Sequence, residues 1–276
     1  MAELKKLIES VSDKSINTQK SYKTQYNKLH KLLGKDVNEA SEKKLIEIIM
    51  EQSNNNGKQA LINIGILVRR IYGLKSSKLE DLREKLKGTL KQDVKEKNVV
   101  LQDTLPSYED LIEYTDHLWD TMNWRDYIIN YLLIHYQVRN QDLVFDIVNK
   151  KKLTKDTDKN FMWLSGKKVV YTRNVYKTAN SYGKKTDIIT DPKFIVAVKR
   201  VYACSSRDEE CGVFIPKLSQ VGYYIKKATY KQLGEGAYVK IVINHFRTNF
   251  TKLKEISESR GTSLTTLGDV YDIENI

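Results

Sequence analysis

Tyr136-Gln137-Val138-Arg139-Asn140-Gln141-Asp142-Leu143-Val144-Phe145-Asp146-Ile147-Val148 is the stretch in which the chain changes its period. Before it, residues 124–136 are apolar over three turns, the pattern of a buried helix. After it, residues 144–148, 161–164, 168–171 and 187–190 are short β-branched and aromatic runs that predict strands. Residues 176–186 are polar and carry Gly183, which predicts a hairpin loop before the last strand. From Asp191 the helical period returns with Phe194, Val196, Ala197 and Val198, then over residues 219–232, and again over a single helix at 248–259. The second half therefore reads as a helical bundle with a small antiparallel sheet inserted near its start.

Working back from that stretch, Leu105-Pro106-Ser107-Tyr108-Glu109-Asp110-Leu111 reads as a helix entry. Pro106 fixes an extended approach, Ser107 caps, and the two acids sit in the first turn. Residues 1–97 look wholly helical. Ser15 to Thr18 supply cap residues before Tyr22, Tyr26, Leu29, Leu32 and Leu33, and a further helix covers residues 42–52. Residues 54–57, Asn-Asn-Asn-Gly, predict a break. Ala60, Leu61, Ile64, Leu67, Val68 and Ile71 then form a buried face, with Arg69 and Arg70 on its rim. Lysine-rich residues 85–97, poor in apolar side chains, are the candidate linker between a helical domain, 1–97, and a second domain, 98–276.

Composition narrows the partners. The 276 residues carry a net charge of +12 and a pI near 9.3, which favours a polyanion, because lysines and arginines beside phosphates release condensed counterions. Residues 1–100 hold 21 Lys and Arg against 13 Asp and Glu. That suits a small domain clasping a duplex through its backbone phosphates. Cys204 and Cys211 lack the His or second Cys pair of a zinc site and fit a reducing compartment. No signal core or run of eighteen apolar residues occurs, so the expectation is an intracellular protein, not secreted and not membrane-spanning.

The order of parts resembles the tyrosine recombinase (phage integrase-like) family over nearly the whole chain from Ser15. The parts are a basic helical front, Leu105-Pro106 through Leu111, Arg139 followed by Asp142-Leu143, a lysine in a hairpin, Asn244-His245-Phe246-Arg247 with Phe250, the turn Gly261-Thr262-Ser263 and Tyr271. In style it is similar to divergent members carried by large DNA viruses or virophage-like elements. The resemblance implies a mainly α fold, with a SAM-like core-binding domain ahead of a mixed α/β catalytic domain of the DNA breaking-rejoining type. It also implies double-stranded DNA as partner, a dimer on each site, a tetramer in synapsis, and a place with DNA in the nucleus, a viral factory or a nucleoid.

The chemistry such parts perform follows from the residue types. A tyrosine hydroxyl can attack phosphorus and hold a DNA strand covalently, which conserves the bond energy. Charge growing on the non-bridging oxygens suits the planar forks of two arginines. These roles fall to Tyr271, Arg139 and Arg247. A hairpin lysine would protonate the departing 5′ oxygen; Lys177 is the family match, with Lys184 and Lys185 in the same loop as competitors. No metal, nucleotide or redox cofactor is required. Asn244 stands where the family usually has His, and Thr262 where it has His or Trp. With His245 these are candidate phosphate contacts without acid–base capacity at the two replaced positions. The segment between Arg247 and Gly261 is short, and residues 272–276 are too few for a docking helix. Besides recombination, two readings remain: type IB topoisomerase-like relaxation by the same residues, and DNA binding by a catalytically degenerate descendant.

Overall fold

Side-chain caps start the long helices of the first hundred residues. Ser15 accepts a hydrogen bond from the Thr18 backbone at the start of α2, Ile16–Leu33, and Ser41 does so from Lys44 at the start of α3, Glu42–Met50. The computed structural model describes residues 2–102, 104–208 and 211–271. It divides the chain into two compact units, Met1–Glu96 and Lys97–Ile276.

In the first unit α1, Ala2–Glu9, is held by Glu3. Its buried carboxylate accepts from the Tyr26 hydroxyl and the Val37 backbone at 2.8 Å each, and from the Asn38 backbone at 2.8 Å. The residues expected to break the chain begin a helix instead. Asn54 accepts from the backbones of Asn56 and Gly57 and caps α4, Asn55–Ile71. That helix is buried on more than the expected face, with Ile62 and Ile66 inside beside Leu61, Ile64 and Val68. Arg69, expected on the rim, is also buried: its guanidinium donates to the carbonyls of Lys75 and Ala40. The candidate linker at residues 85–97 lies within α5, Ser77–Gln102. Lys, Glu, Gln and Leu are strong helix formers, and contacts such as Lys87–Glu84 and Gln92–Glu96 join successive turns, so a few apolar residues suffice.

The second unit opens with α6, Tyr108–Asp120, whose capping box joins Ser107 and Asp110 reciprocally. Next come α7, Trp124–His135, β1, Phe145–Val148, β2, Asn160–Ser165, and β3, Lys168–Arg173. A four-residue helix, α8, Ala179–Tyr182, stands before β4, Lys185–Ile189. Then follow α9, Pro192–Ser205, β5, Ser206–Asp208, β6, Cys211–Val213, α10, Leu218–Ala228, α11, Glu235–His245, and α12, Phe250–Arg260. A short helical run, Leu264–Thr266, passes into the turn Leu267–Tyr271. Residues 272–276 lie outside the described residues, and with them the expectation about a C-terminal helix.

The sheet order is β4-β3-β2-β1-β6-β5. It is mixed, not antiparallel as expected, because β1 and β2 run parallel with Asp146 opposite Phe161. Residues 149–159 cross over instead of turning back, and Asn160 fixes the crossing: its side chain accepts from the backbones of Asn174 and Val175 and donates to the carbonyls of Val144 and Val175. Strands β5 and β6 went unpredicted, being only three residues each, too short to show a period. Ile128, Leu132, Met162, Tyr171, Phe194 and Val198 are among the core between sheet and helices. A smaller cluster of Val239, Val242, Ile243, Ile256 and Leu267 carries Tyr271 on its edge. The unit is thus mainly helical around a small mixed sheet. No helix among the described residues is long and apolar enough to cross a membrane.

Candidate functional site

Gly261 is the point at which four segments meet. It ends α12 in the left-handed conformation, φ +62°, and a Cβ placed there would lie 2.6 Å from the Thr178 hydroxyl and 3.0 Å from Lys185 Nζ. Only glycine allows both the turn and that approach. Its carbonyl accepts from Thr178 Oγ1 at 3.0 Å and from Arg139 Nη2 at 3.4 Å, while Arg139 Nη1 donates to Thr178 Oγ1 at 3.2 Å.

Arg139 reaches this point because α7 ends in a strained turn. Gln137 takes φ +44°, uncommon for a residue with a Cβ, and Asp142 then accepts from the Arg139 backbone at 3.0 Å. Asp142 is buried, and Arg173 stands beside it at 3.5 Å while also donating to Asp187 and to the Ser259 carbonyl. Burial pushes the Asp142 carboxyl up, against the lowering effect of the Arg139 backbone hydrogen bond and the two guanidinium charges. Arg139 is itself half-buried. Burial and the charge of Arg260 hold it below its ordinary value, against Asp142, Tyr271 and Glu235.

Tyr271 is half-buried, and its hydroxyl accepts from Arg260 Nη2 at 3.0 Å. The Arg260 guanidinium carbon also sits 5.1 Å from the centre of the Tyr271 ring. An arginine not singled out in the sequence, Arg260, is thus in contact with the tyrosine. Arg260 is buried, donates to the Gln137 carbonyl at 2.8 Å and pairs with Glu235. Burial lowers it, but Glu235 and Tyr271 outweigh burial and hold it above its ordinary value. Its Nε has no hydrogen-bond partner.

The remaining residues singled out in the sequence divide. Asn244 donates to the backbone carbonyl of Tyr271 at 3.2 Å, so it holds the tyrosine's turn. Thr262 is pinned through its backbone, donating to the Ser257 carbonyl and accepting from the Ser257 hydroxyl. His245 stacks on Tyr108, with centroids 4.0 Å apart, and faces Glu109 at 3.4 Å. Arg247 lies exposed in the turn after α11. Of the three hairpin lysines, Lys177 and Lys184 are exposed, though Lys177 sits between Tyr176 and Thr178, both of which border Gly261. Lys185 is the one drawn inward. Its Nζ donates to the carbonyls of Glu258 and Ser259 at the end of α12, and lies 5.0 Å from the centre of the Tyr176 ring. Burial, with the charges of Arg173 and Arg139, pushes it down to about 8.

Three members went unrecognised in the sequence: Arg260, Thr178 and Glu235. Arg260 adjoins Gly261 and Thr178 adjoins Lys177, so proximity to the quoted motifs was the available signal for both. Glu235, the acid in the first turn of α11, carried none. Among the described residues no group of three or more His, Cys, Asp or Glu could hold a metal ion.

No family model matches the sequence, and no curated protein does. Among solved structures the chain aligns with a crystal structure of XerA recombinase, over 99% of this chain and 94% of that one, at 12% identity and a TM-score of 0.39. A likeness that loose transfers neither residue roles nor activity.

Proposed function

We propose that the chain is a site-specific DNA recombinase or integrase that cuts and rejoins DNA through a 3′-phosphotyrosyl intermediate. The observation that carries this reading is the Tyr271 hydroxyl held by Arg260 at 3.0 Å in a cluster that also contains Arg139. The Tyr271 oxygen attacks the scissile phosphorus as its phenolic proton passes to solvent, the new O–P bond replaces the bond to the 5′ oxygen, and that oxygen leaves with a proton. Lys185 supplies the proton, being the lysine at Gly261, and Lys177 is left as a phosphate contact. Arg139 presents its fork to the non-bridging oxygens, and Arg260 Nη2 holds the tyrosine hydroxyl. Rejoining runs the same steps in reverse from a free 5′ hydroxyl. Double-stranded DNA is the partner, bound as a dimer on each site and a tetramer in synapsis.

The test uses nicked suicide duplexes carrying the protein's own recombination sequence, with covalent adduct read on a denaturing gel. Adduct should form with the wild type and vanish in Tyr271→Phe. One observation favours a DNA-binding protein without catalysis: the Nη donors of Arg260 are already engaged by Gln137, Glu235 and Tyr271. Salt-sensitive DNA binding with no adduct on any duplex would select that reading. Relaxation of arbitrary supercoiled plasmid would select a topoisomerase.

A further inference from the structure

Glu235 stands at a junction that neither arginine explains. It begins α11 immediately after the N-cap Gly234, where a carboxylate is favoured by the helix N-terminus. Its two oxygens face different segments: one pairs with Arg260 Nη2, and the other accepts from the backbone of Asn140 at 3.3 Å. Asn140 directly follows Arg139. The nitrogen that reaches Glu235 is the one that donates to the Tyr271 hydroxyl. One carboxylate therefore joins the segment bearing the phosphate-facing arginine to the guanidinium that orients the nucleophile.

The charges give a reason for an acid at this place. Arg139 and Arg260 are close enough for the charge of one to depress the other. Before a phosphate arrives, two like charges within reach of each other in a partly buried site repel, and each loses hydration. Glu235 is mostly shielded, with its side chain 16% exposed, and supplies the opposing charge beside Arg260. An amide in its place could still accept from Arg260 with its single oxygen, but would lose the charge and the acceptor for Asn140.

We infer that Glu235 is a positioning residue: it holds Arg260, and through it the Tyr271 hydroxyl, in register with Arg139. This rests on the proposed cleavage by Tyr271. Glu235 touches neither the reacting oxygen nor the phosphorus, so its removal should slow chemistry and leave DNA affinity nearly intact. Misplacing a reacting group by about 1 Å can cost on the order of 100-fold in rate.

The experiment uses full-length protein with ring-¹³C tyrosine, the Tyr271 resonance being assigned by its loss in Tyr271→Phe. In DNA-free protein, Glu235→Gln should move the Tyr271 resonance and leave the other tyrosines in place. On suicide duplexes it should lower the single-turnover rate of adduct formation by about 10- to 100-fold, with the Kd for DNA within about twofold. Glu235→Asp, which keeps the charge but draws it back by one methylene, should fall between wild type and Glu235→Gln in both readouts, and it carries the comparison if the amide variant misfolds. An unmoved Tyr271 resonance overturns the inference, as does a rate and an affinity that fall together by the same factor. If wild-type protein forms no adduct, the cleavage reading fails, and the resonance alone decides whether Glu235 holds the Arg260–Tyr271 pair.

Discussion

Lys185 shows how one residue's environment turns into a measurable chemical property. An ordinary lysine, near 10.5, stays charged at any pH the protein would meet and parts with its proton reluctantly; here burial, Arg173 and Arg139 bring it to about 8. A general acid works best when its own value lies near the operating pH. If Lys185 protonates the leaving 5′ oxygen, the cleavage rate should be level below about pH 8 and fall by about tenfold per unit above it. On DNA with a bridging 5′ sulfur, which leaves unprotonated, the fall should disappear, and Lys185→Ala should be rescued while Tyr271→Phe is not. A flat profile on normal DNA would remove Lys185 from that role. The linked effect on folding has a definite sign. The depressed value means that the charged lysine is disfavoured in the folded state, so its contribution to stability is present above about 10.5 and is lost as pH falls through about 8.

Between elements, the site depends on how α11 is seated, because that helix carries Glu235 at one end and Asn244 at the other. Its anchor is a buried polar chain. Tyr238 donates to Asn130 Oδ1, and Asn130 Nδ2 donates to the carbonyls of Asp126 and Ala228, which ties α11 to α7 and to the end of α10. The Tyr238 oxygen also accepts from the Tyr230 backbone. Tyr238→Phe keeps the ring but leaves the Asn130 oxygen and the Tyr230 N–H without these partners, a cost of about 1–3 kcal/mol. Urea denaturation should show a lower midpoint with an unchanged slope, and an unshifted midpoint would count against the anchor. None of this chain was legible beforehand, since an Asn on one helix and a Tyr 108 positions later share no local pattern. What was legible is what local chemistry dictates: the Ser107–Asp110 box, the end of α7 before Gln137, and the strands around Val169 and Tyr171. The parallel pairing of β1 with β2 was missed because direction depends on a crossover fixed by Asn160, not on the strands' own residues. At the site, Arg139, Gly261 and Tyr271 come together as three of the quoted motifs. Arg260, the residue before Gly261, joins them through its hydrogen bond to the tyrosine, a contact that no spacing in the sequence announced.

Across the whole molecule the decisive quantity is charge. A net +12 is spread over two units with separate cores, and residues 1–100 contribute 21 Lys and Arg against 13 acids. Arg69, Arg173 and Arg260 are bound to carbonyls or carboxylates inside their own unit. Pairs such as Lys87–Glu84 and Lys193–Asp116 lie at the surface, where an ion pair contributes little and yields readily to a phosphate. If DNA is the partner, its counterions must be released as the cations replace them. The logarithm of affinity should then fall linearly with the logarithm of salt, with a slope of about −0.9 per phosphate neutralised. Six or more contacts imply a loss of about 10³-fold or more between 50 and 200 mM. Anisotropy titrations of a labelled duplex would measure it. Tyr271→Phe should bind with the same slope, because the change removes no cation; Arg139→Ala should reduce the slope by about one, because it removes one phosphate-facing cation. A shallow slope in wild-type protein would mean that the basic charge keeps the chain dissolved instead of holding DNA, and Tyr271 would then have no phosphate to attack.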